Sequence, residues 1–271
     1  MLGASEFLIE PDDLVKLLGG NIVIIDARKP GLFGAGHLPG AVPFSTYGML
    51  AEDTSVDGIK RFADGVASRF MMAGVALDRP VVVYDDDTGM YAARELWMLE
   101  YLGHRNARML HGGLNFWRRV GGPIETGIDV PTVRTRPLKP SMTTGFLVGC
   151  EEVARRAGTW NFWLLDVRDE SAWKGREKAV CCKRHGHIPH ARHIEWTRFL
   201  ADGRFKSPAE ILELIEASGI NPRHDIAVYC HRGARSANTV YALRSAGIHS
   251  ARNFLGSWHE WSAHAELPIE V

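Results

Sequence analysis

The sequence predicts an α/β fold built twice: two tandem domains, each a parallel sheet with helices on both faces. Three observations carry this. Sequence anchors recur in the same order in the two halves of the 271-residue chain. Short apolar runs alternate with amphipathic stretches of helical spacing, the rhythm of strand-helix-strand units. The apolar runs are continuous rather than alternating, as expected of strands buried on both faces of a parallel sheet.

The first half opens with an apolar strand that ends in an acid, Ile22-Val23-Ile24-Ile25-Asp26-Ala27-Arg28. The turn Gly36-His37-Leu38-Pro39-Gly40-Ala41 follows, then the strand Val81-Val82-Val83-Tyr84 ending in Asp85 and an amphipathic stretch over Ala92–Leu102. The half closes on Gly112-Gly113-Leu114-Asn115-Phe116-Trp117 and Pro123-Ile124-Glu125. The second half repeats each piece: Phe162-Trp163-Leu164-Leu165-Asp166-Val167-Arg168, then Gly186-His187-Ile188-Pro189-His190-Ala191. An amphipathic run at Pro208–Ser218 leads to the strand Ile226-Ala227-Val228-Tyr229 ending in Cys230, and the half closes on Gly256-Ser257-Trp258-His259-Glu260-Trp261 and Pro268-Ile269-Glu270. Between the halves, a proline-bearing stretch without periodicity reads as a linker. The expected boundaries are 1–126 for the first domain, 127–142 for the linker and 143–271 for the second domain.

A hydrophobic content of 45% supports two buried cores. Lys plus Arg balances Asp plus Glu at 32 each, so no global basic field exists to hold nucleic acid or a membrane surface, and neither is expected as a partner. Met1–Phe7 carries no basic, apolar leader, and no apolar run approaches the ~20 residues of a membrane span. A soluble, cytoplasmic protein is expected. Four cysteines (Cys150, Cys181, Cys182, Cys230) in so long a chain do not form a disulfide framework, and a reducing compartment suits a working thiol.

The chemistry concentrates in Cys230-His231-Arg232-Gly233-Ala234-Arg235, set between a strand and the helix-like segment Ser236–Ala246. At such a turn, backbone N–H groups and the positive end of a helix dipole converge, favouring an anion and lowering a thiol pKa. Gly233 permits a positive φ inside the turn. His231, Arg232 and Arg235 are expected to add positive charge around the sulfur. Ligands on parallel sheets sit at the carboxyl ends of strands, where Asp85 and Cys230 both fall.

Together the two Asp-x-Arg strands, the two Gly-His-[Ile/Leu]-Pro turns, the single six-residue cysteine loop and the closing Gly-x-Trp-x-x-Trp resemble the tandem-domain rhodaneses, the thiosulfate and 3-mercaptopyruvate sulfurtransferases. Glu195-Trp196-Thr197 and the ending Trp261 to Val271 look closest to bacterial members. The resemblance implies a cofactor-free enzyme whose C-terminal domain is catalytic through a Cys230 persulfide. Its partners would be a small anionic sulfur donor and a cyanide, thiol or protein acceptor. The first domain would be inactive, with Asp85 standing where the cysteine belongs, because a carboxylate cannot carry sulfur as a persulfide. The basic loop resembles the thiosulfate type more than the small uncharged mercaptopyruvate type. One departure stands out: Ala172 occupies the place of the family's substrate arginine, and Lys174, Arg176, Lys183 and Arg184 are the nearby cations that could replace it, with Trp196 a further pocket candidate.

Other readings weigh less. His187 has a twin, His37, in the half without the thiol, which argues for a structural turn. Asp85-Asp86-Asp87 reads as a solvated strand end, and adjacent Cys181-Cys182 lacks the gap of a zinc pair, so no metal is expected. A cysteine phosphatase needs Cys-x₅-Arg, and here Ser236 stands at the arginine position. A persulfide carrier without fast turnover needs the same thiol as the enzyme does.

Overall fold

The structure is a computed structural model that describes residues 6–29, 31–128, 142, 145–177, 182 and 184–271. Most of the expected linker, 129–141, lies outside the described residues, as do Cys181 and Lys183. The chain divides into two compact units. The first comprises 1–49, 63–143 and 202–205, and the second 50–62, 144–201 and 206–271. Leu50–Phe62 thus groups with the second half, and Asp202–Phe205 with the first.

In the first unit, strands β1 (Leu8–Ile9), β2 (Val23–Asp26), β3 (Ala41–Pro43), β4 (Val81–Tyr84) and β5 (Ala107–Leu110) form one sheet in the order β1-β5-β4-β2-β3. All its ladders are parallel. The strand Val81-Val82-Val83-Tyr84 is buried throughout, as its β-branched composition requires of a central strand. Helices α1 (Pro11–Val15), α2 (Val56–Met72), α3 (Met90–Tyr101) and α4 (Gly113–Arg119) alternate with these strands along the chain, α2 through Phe62 grouping with the second unit. Tyr84, Trp117, Leu114 and Leu110 lie in one core cluster with β1 and β2 side chains.

The second unit repeats the plan. Strands β6 (Leu147–Val148), β7 (Phe162–Asp166) and β8 (Arg192–His193) precede two-residue strands β9 (Leu200–Ala201) and β10 (Arg204–Phe205), the last of which groups with the first unit. With β11 (Asp225–Tyr229) and β12 (Ala251–Phe254) the main sheet reads β6-β12-β11-β7-β8, again all parallel. Helices α5 (Cys150–Arg156), α6 (Glu170–Trp173), α7 (Pro208–Ala217), α8 (Ala234–Ser245) and α9 (Ser257–Ala263) complete it. Helix α7 begins on a capping box of Ser207 and Glu210 and buries Ile211 and Ile215, one turn apart on its inner face. Each unit is therefore an α/β layer structure, a five-stranded parallel sheet with flanking helices.

The recurring sequence anchors prove to be one structural lock made twice. Arg168 donates to Asp166 through Nε at 3.0 Å and Nη2 at 2.5 Å, and to the Gly186 carbonyl at 2.8 Å. The Tyr229 hydroxyl accepts from the Ile188 N–H at 3.1 Å. Arg28, Asp26, Gly36, Tyr84 and Leu38 repeat these contacts in the first unit. His187 Nδ1 lies 3.0 Å from the Trp173 carbonyl with its ring stacked on Trp173, as His37 does with Phe33. The backbone of each histidine pairs with the closing Pro-Ile-Glu, at Glu125 or Glu270. Strand end, turn and terminal segment are thereby tied together, which is why the three motifs recur as a set.

Candidate active site

Register places Cys230 directly after the central strand β11, where Tyr229 pairs with Asp166 of β7. In the first unit Tyr84 pairs with Asp26, so Asp85 stands at the same point of its sheet. The chain turns at Gly233, whose φ of +83° is open to glycine, and enters helix α8 at Ala234. A Cβ at Gly233 would also lie 2.7 Å from the Leu255 carbonyl oxygen. The expected helix start at Ser236 comes two residues earlier, so Arg235 and Ser236 lie in the first turn.

The thiol is 2% exposed. Burial alone pushes such a group up, because the charged form loses its water. Here Ser236, through its hydroxyl and N–H, the charge of Arg235 and the Arg232 N–H outweigh burial, and the Cys230 pKa lies below its ordinary value. The Gly233 N–H donates to Sγ at 3.2 Å, and Ser236 Oγ lies 3.5 Å from Sγ. Preorganised dipoles thus favour the anionic form of a buried sulfur.

A second ring of contacts holds the loop, and sequence reasoning missed it. Ser257 Oγ accepts the Cys230 N–H at 3.2 Å and donates to the Phe254 carbonyl at 2.7 Å. Ser257 takes φ +54°, rare for a residue with a Cβ. Asn253 on β12 accepts from Ser236 Oγ at 2.7 Å and donates to the Gly233 carbonyl at 3.1 Å. The Trp258 and His259 N–H groups donate to the Cys230 and His231 carbonyls, both at 3.1 Å. A signal for Ser257 was present, since the other half has Gly113 at the matching place, with φ +57°.

The remaining predicted residues disperse. His231 is driven down to about 4 by burial and by Arg232, Arg168 and Arg235, so its imidazole is neutral at physiological pH and adds no charge to the loop. Its Nε2 lies 3.3 Å from Cys182 Sγ. Arg235 gives Nη1 to Asp169 at 2.7 Å, which offsets part of its charge. Ala234 opens α8, and Arg232 is half-buried beside it. Lys174 is exposed and paired with Glu170. Arg184 donates to the His264 and Leu267 carbonyls, both at 2.6 Å, and so straps the terminal segment instead of facing the thiol. Trp196 is half-buried at the start of a 3₁₀ turn, its N–H on the Val167 carbonyl. A small cleft is lined by Arg168, Ala172, Cys182, Gly186, His231 and Trp258. Ala172 does line it, with Glu177 and His185, and among the described residues the arginine or lysine there is Arg168; the expected Lys183 lies outside the described residues.

Asp85 fills its own cradle. Its carboxylate accepts the N–H groups of Gly89, Tyr91 and Ala92, each at 3.0 Å. Burial nonetheless pushes it up to about 7 against those three donors. A Cβ at Gly89 would lie 2.3 Å from Asp85 Oδ2, so glycine makes room there for the carboxylate. Among the described residues, Cys150, Glu260 and His264 bring ligand atoms within 4.8 Å of one another. Glu260 is taken up by the Thr54 N–H and hydroxyl, and burial pushes the Cys150 thiol up to about 12, a poor metal ligand.

Comparison with known proteins gives concordant matches. The Rhodanese-like domain model matches twice, over residues 10–119 and 150–264. A thiosulfate sulfurtransferase of Pseudomonas aeruginosa is 28% identical over 270 residues, 97% of each chain. One from Corynebacterium glutamicum is 33% identical over 94% of this chain and 87% of that protein. The crystal structure of an Escherichia coli 3-mercaptopyruvate sulfotransferase agrees in fold, with a TM-score of 0.76 at 24% identity over 93% of this chain and 98% of that one. No helix among the described residues is long and apolar enough to cross a membrane.

Proposed function

This chain belongs to the rhodanese family as a tandem-domain sulfurtransferase, and from that premise we propose that Cys230 carries sulfur as a persulfide from thiosulfate to a nucleophilic acceptor. The observation that carries the reading is a thiol 2% exposed whose pKa is nonetheless lowered, inside a ring of N–H donors. In the first step the Cys230 thiolate attacks the outer sulfur of thiosulfate. The S–S bond to the sulfonate breaks and sulfite leaves with its electron pair. In the second step cyanide, a thiol or a protein nucleophile attacks the outer sulfur of Cys230-S-S⁻, and the thiolate returns. This is ping-pong covalent catalysis without a general base. The Gly233 N–H and the dipole of α8 favour both anionic states of the sulfur.

Residues 143–271 act as the catalytic domain and 1–126 as the non-catalytic one, joined through 127–142. Asp85 supports the asymmetry, since its carboxylate already consumes three N–H donors at its strand end. Thiosulfate as donor draws support from Arg232 and Arg235 in the loop and from the activity that the two bacterial relatives are named for. The neutral His231 and the Asp169 partner of Arg235 reduce the loop's charge, which is the observation that favours the rival donor, 3-mercaptopyruvate, a monocarboxylate. Against phosphatase chemistry, Ser236 is fully buried at the arginine position, its hydroxyl shared between Asn253 Oδ1 and Cys230 Sγ.

The test is kcat/KM for thiosulfate and 3-mercaptopyruvate with cyanide as acceptor, beside Cys230→Ala. Preference for thiosulfate, with activity abolished in Cys230→Ala, is expected. Preference for mercaptopyruvate would transfer donor choice to groups outside the loop. Undiminished transfer by Cys230→Ala would overturn the site itself.

A further inference from the structure

Helix α9 carries a buried carboxylate that the reaction above leaves without a part. Glu260 is 3% exposed, and burial pushes its pKa up against the Thr54 donors that draw it down. The Thr54 N–H donates to Oε1 at 2.7 Å, and the Thr54 hydroxyl lies 2.9 Å from Oε1 and 2.7 Å from Oε2. The same hydroxyl oxygen accepts the Cys150 N–H at 2.9 Å, so it both donates and accepts. Thr54 is itself buried, in Leu50–Phe62, the stretch of the first half that groups with the second unit. Two observations tie the pair to the cysteine loop. One is contact: the carboxylate lies over Gly256, where a Cβ would overlap Oε2, and the Glu260 N–H donates to the Gly256 carbonyl at 3.0 Å. The residues that follow Gly256 hold the loop, Ser257 Oγ taking the Cys230 N–H while the Trp258 and His259 N–H groups bind the Cys230 and His231 carbonyls. The other is the internal duplicate. Where the second half has Glu260, the matching segment 112–117 of the half without the thiol has Phe116. A buried carboxylate costs free energy that a phenyl ring does not, so the fold as such has no need of one there.

We propose that Thr54 and Glu260 are positioning residues for Cys230: the hydroxyl-carboxylate pair fixes the first turn of α9, and that turn aims the cysteine loop. The inference rests on the reading of Cys230 as the sulfur-carrying residue. Neither Thr54 nor Glu260 touches the sulfur. Their effect passes through the backbone of Gly256 and the bonds that Ser257, Trp258 and His259 make to the loop. The Gly233 N–H stands 3.2 Å from Sγ, a contact that weakens steeply once distance or angle departs from hydrogen-bond geometry. Loosening α9 frees the loop to tilt, and the buried thiolate then loses part of the donor field that offsets its desolvation.

The experiment uses the full chain and two readouts: the pH dependence of Cys230 alkylation by iodoacetamide, located by peptide mass spectrometry, and the single-turnover rate at which thiosulfate charges Cys230. Thr54→Val removes the hydroxyl at nearly constant shape. It should displace the alkylation profile to higher pH and slow charging ~10-fold, short of the ~100-fold that a 1 Å misplacement of a reacting group costs. Thr54→Ser keeps the hydroxyl and should restore both readouts. Glu260→Gln keeps the outline of the side chain but sets an amide NH2 against one of the Thr54 donors, so it should act in the same direction and serves if Thr54→Val does not fold. Ser207→Ala controls for stability alone. Among the described residues the Ser207 side chain bonds only to Glu210, so losing this cap should lower the urea midpoint and leave the alkylation profile in place. An unmoved profile and rate in whichever of Thr54→Val and Glu260→Gln folds would overturn the proposal. So would a Thr54→Ser protein as impaired as Thr54→Val, or an equal displacement in Ser207→Ala. Sulfur transfer undiminished in Cys230→Ala would remove the reading of Cys230 itself, whereas normal charging of Cys230 in both wild type and Thr54→Val removes only this inference.

Discussion

Ser257 offers the sharpest test of how the cysteine loop is held. Its hydroxyl is the acceptor for the buried Cys230 N–H and the donor to the Phe254 carbonyl, yet its backbone is held at φ +54°. Ser257→Ala keeps the strained backbone and removes both hydrogen bonds, which leaves buried groups unsatisfied at a cost of ~1–3 kcal/mol. Ser257→Gly removes the same bonds but relieves the left-handed strain, worth ~1–2 kcal/mol. The glycine variant should therefore be the more stable of the two by that difference, although it carries the smaller side chain. The reverse change, Gly113→Ser, should be worse than either. A Cβ at Gly113 would lie 2.3 Å from the Asp87 carbonyl oxygen and 2.6 Å from that of Asp85, so backbone must move. Urea unfolding of the three variants, followed by tryptophan fluorescence, measures the order. Stability of Ser257→Ala equal to wild type, or of Ser257→Gly below Ser257→Ala, would refute the assignment of Ser257 as the prop of Cys230.

The other predictions concern charge. The rate of Cys230 charging by thiosulfate should rise with pH through a pKa below the usual thiol range and show no His231 limb between pH 5 and 8, since His231 titrates near 4. A rapid-mixing pH profile checks this, and a limb near pH 6.5 abolished by His231→Gln would contradict it. Because the folded thiol pKa is depressed, its stabilising contribution is full above the unfolded pKa and is lost as pH falls through the folded one. The stability gap between wild type and Cys230→Ala should therefore shrink on acidification. Asp166→Asn leaves the 2%-exposed Arg168 without its counterion and should cost ~3–5 kcal/mol in urea unfolding, whereas a loss below ~1 kcal/mol would contradict the lock. Asp169→Asn removes a half-exposed partner, should change stability by less than ~1 kcal/mol, and should lower KM for thiosulfate by releasing Arg235. An unchanged or raised KM would show that Arg235 does not meet the donor.

Strand positions, the order of the repeated anchors and the place of Cys230 were legible in the chain because each is a local matter. A run such as Val81-Val82-Val83-Tyr84 is continuous because both faces of that strand are covered, and Gly233 sits where the turn needs φ +83°. The recurrence of Asp-x-Arg with Gly-His-x-Pro was visible too, though its cause, the Arg168 guanidinium reaching Asp166 and the Gly186 carbonyl together, became visible only in the fold. What the tertiary structure alone decided were the partners and the charges. His231 reads as a cation in sequence and is neutral in the fold, because burial and three arginines, one of them just past the end of β7, disfavour its proton. Lys174 and Arg184 read as donor-binding cations and are taken by Glu170 and by the terminal carbonyls. Leu50–Phe62 lies within the first repeat in sequence yet groups with the second unit. Backbone preference depends on near neighbours along the chain. Desolvation and ion pairing depend on which groups arrive from elsewhere, and 66 residues separate Arg235 from the Asp169 that offsets its charge.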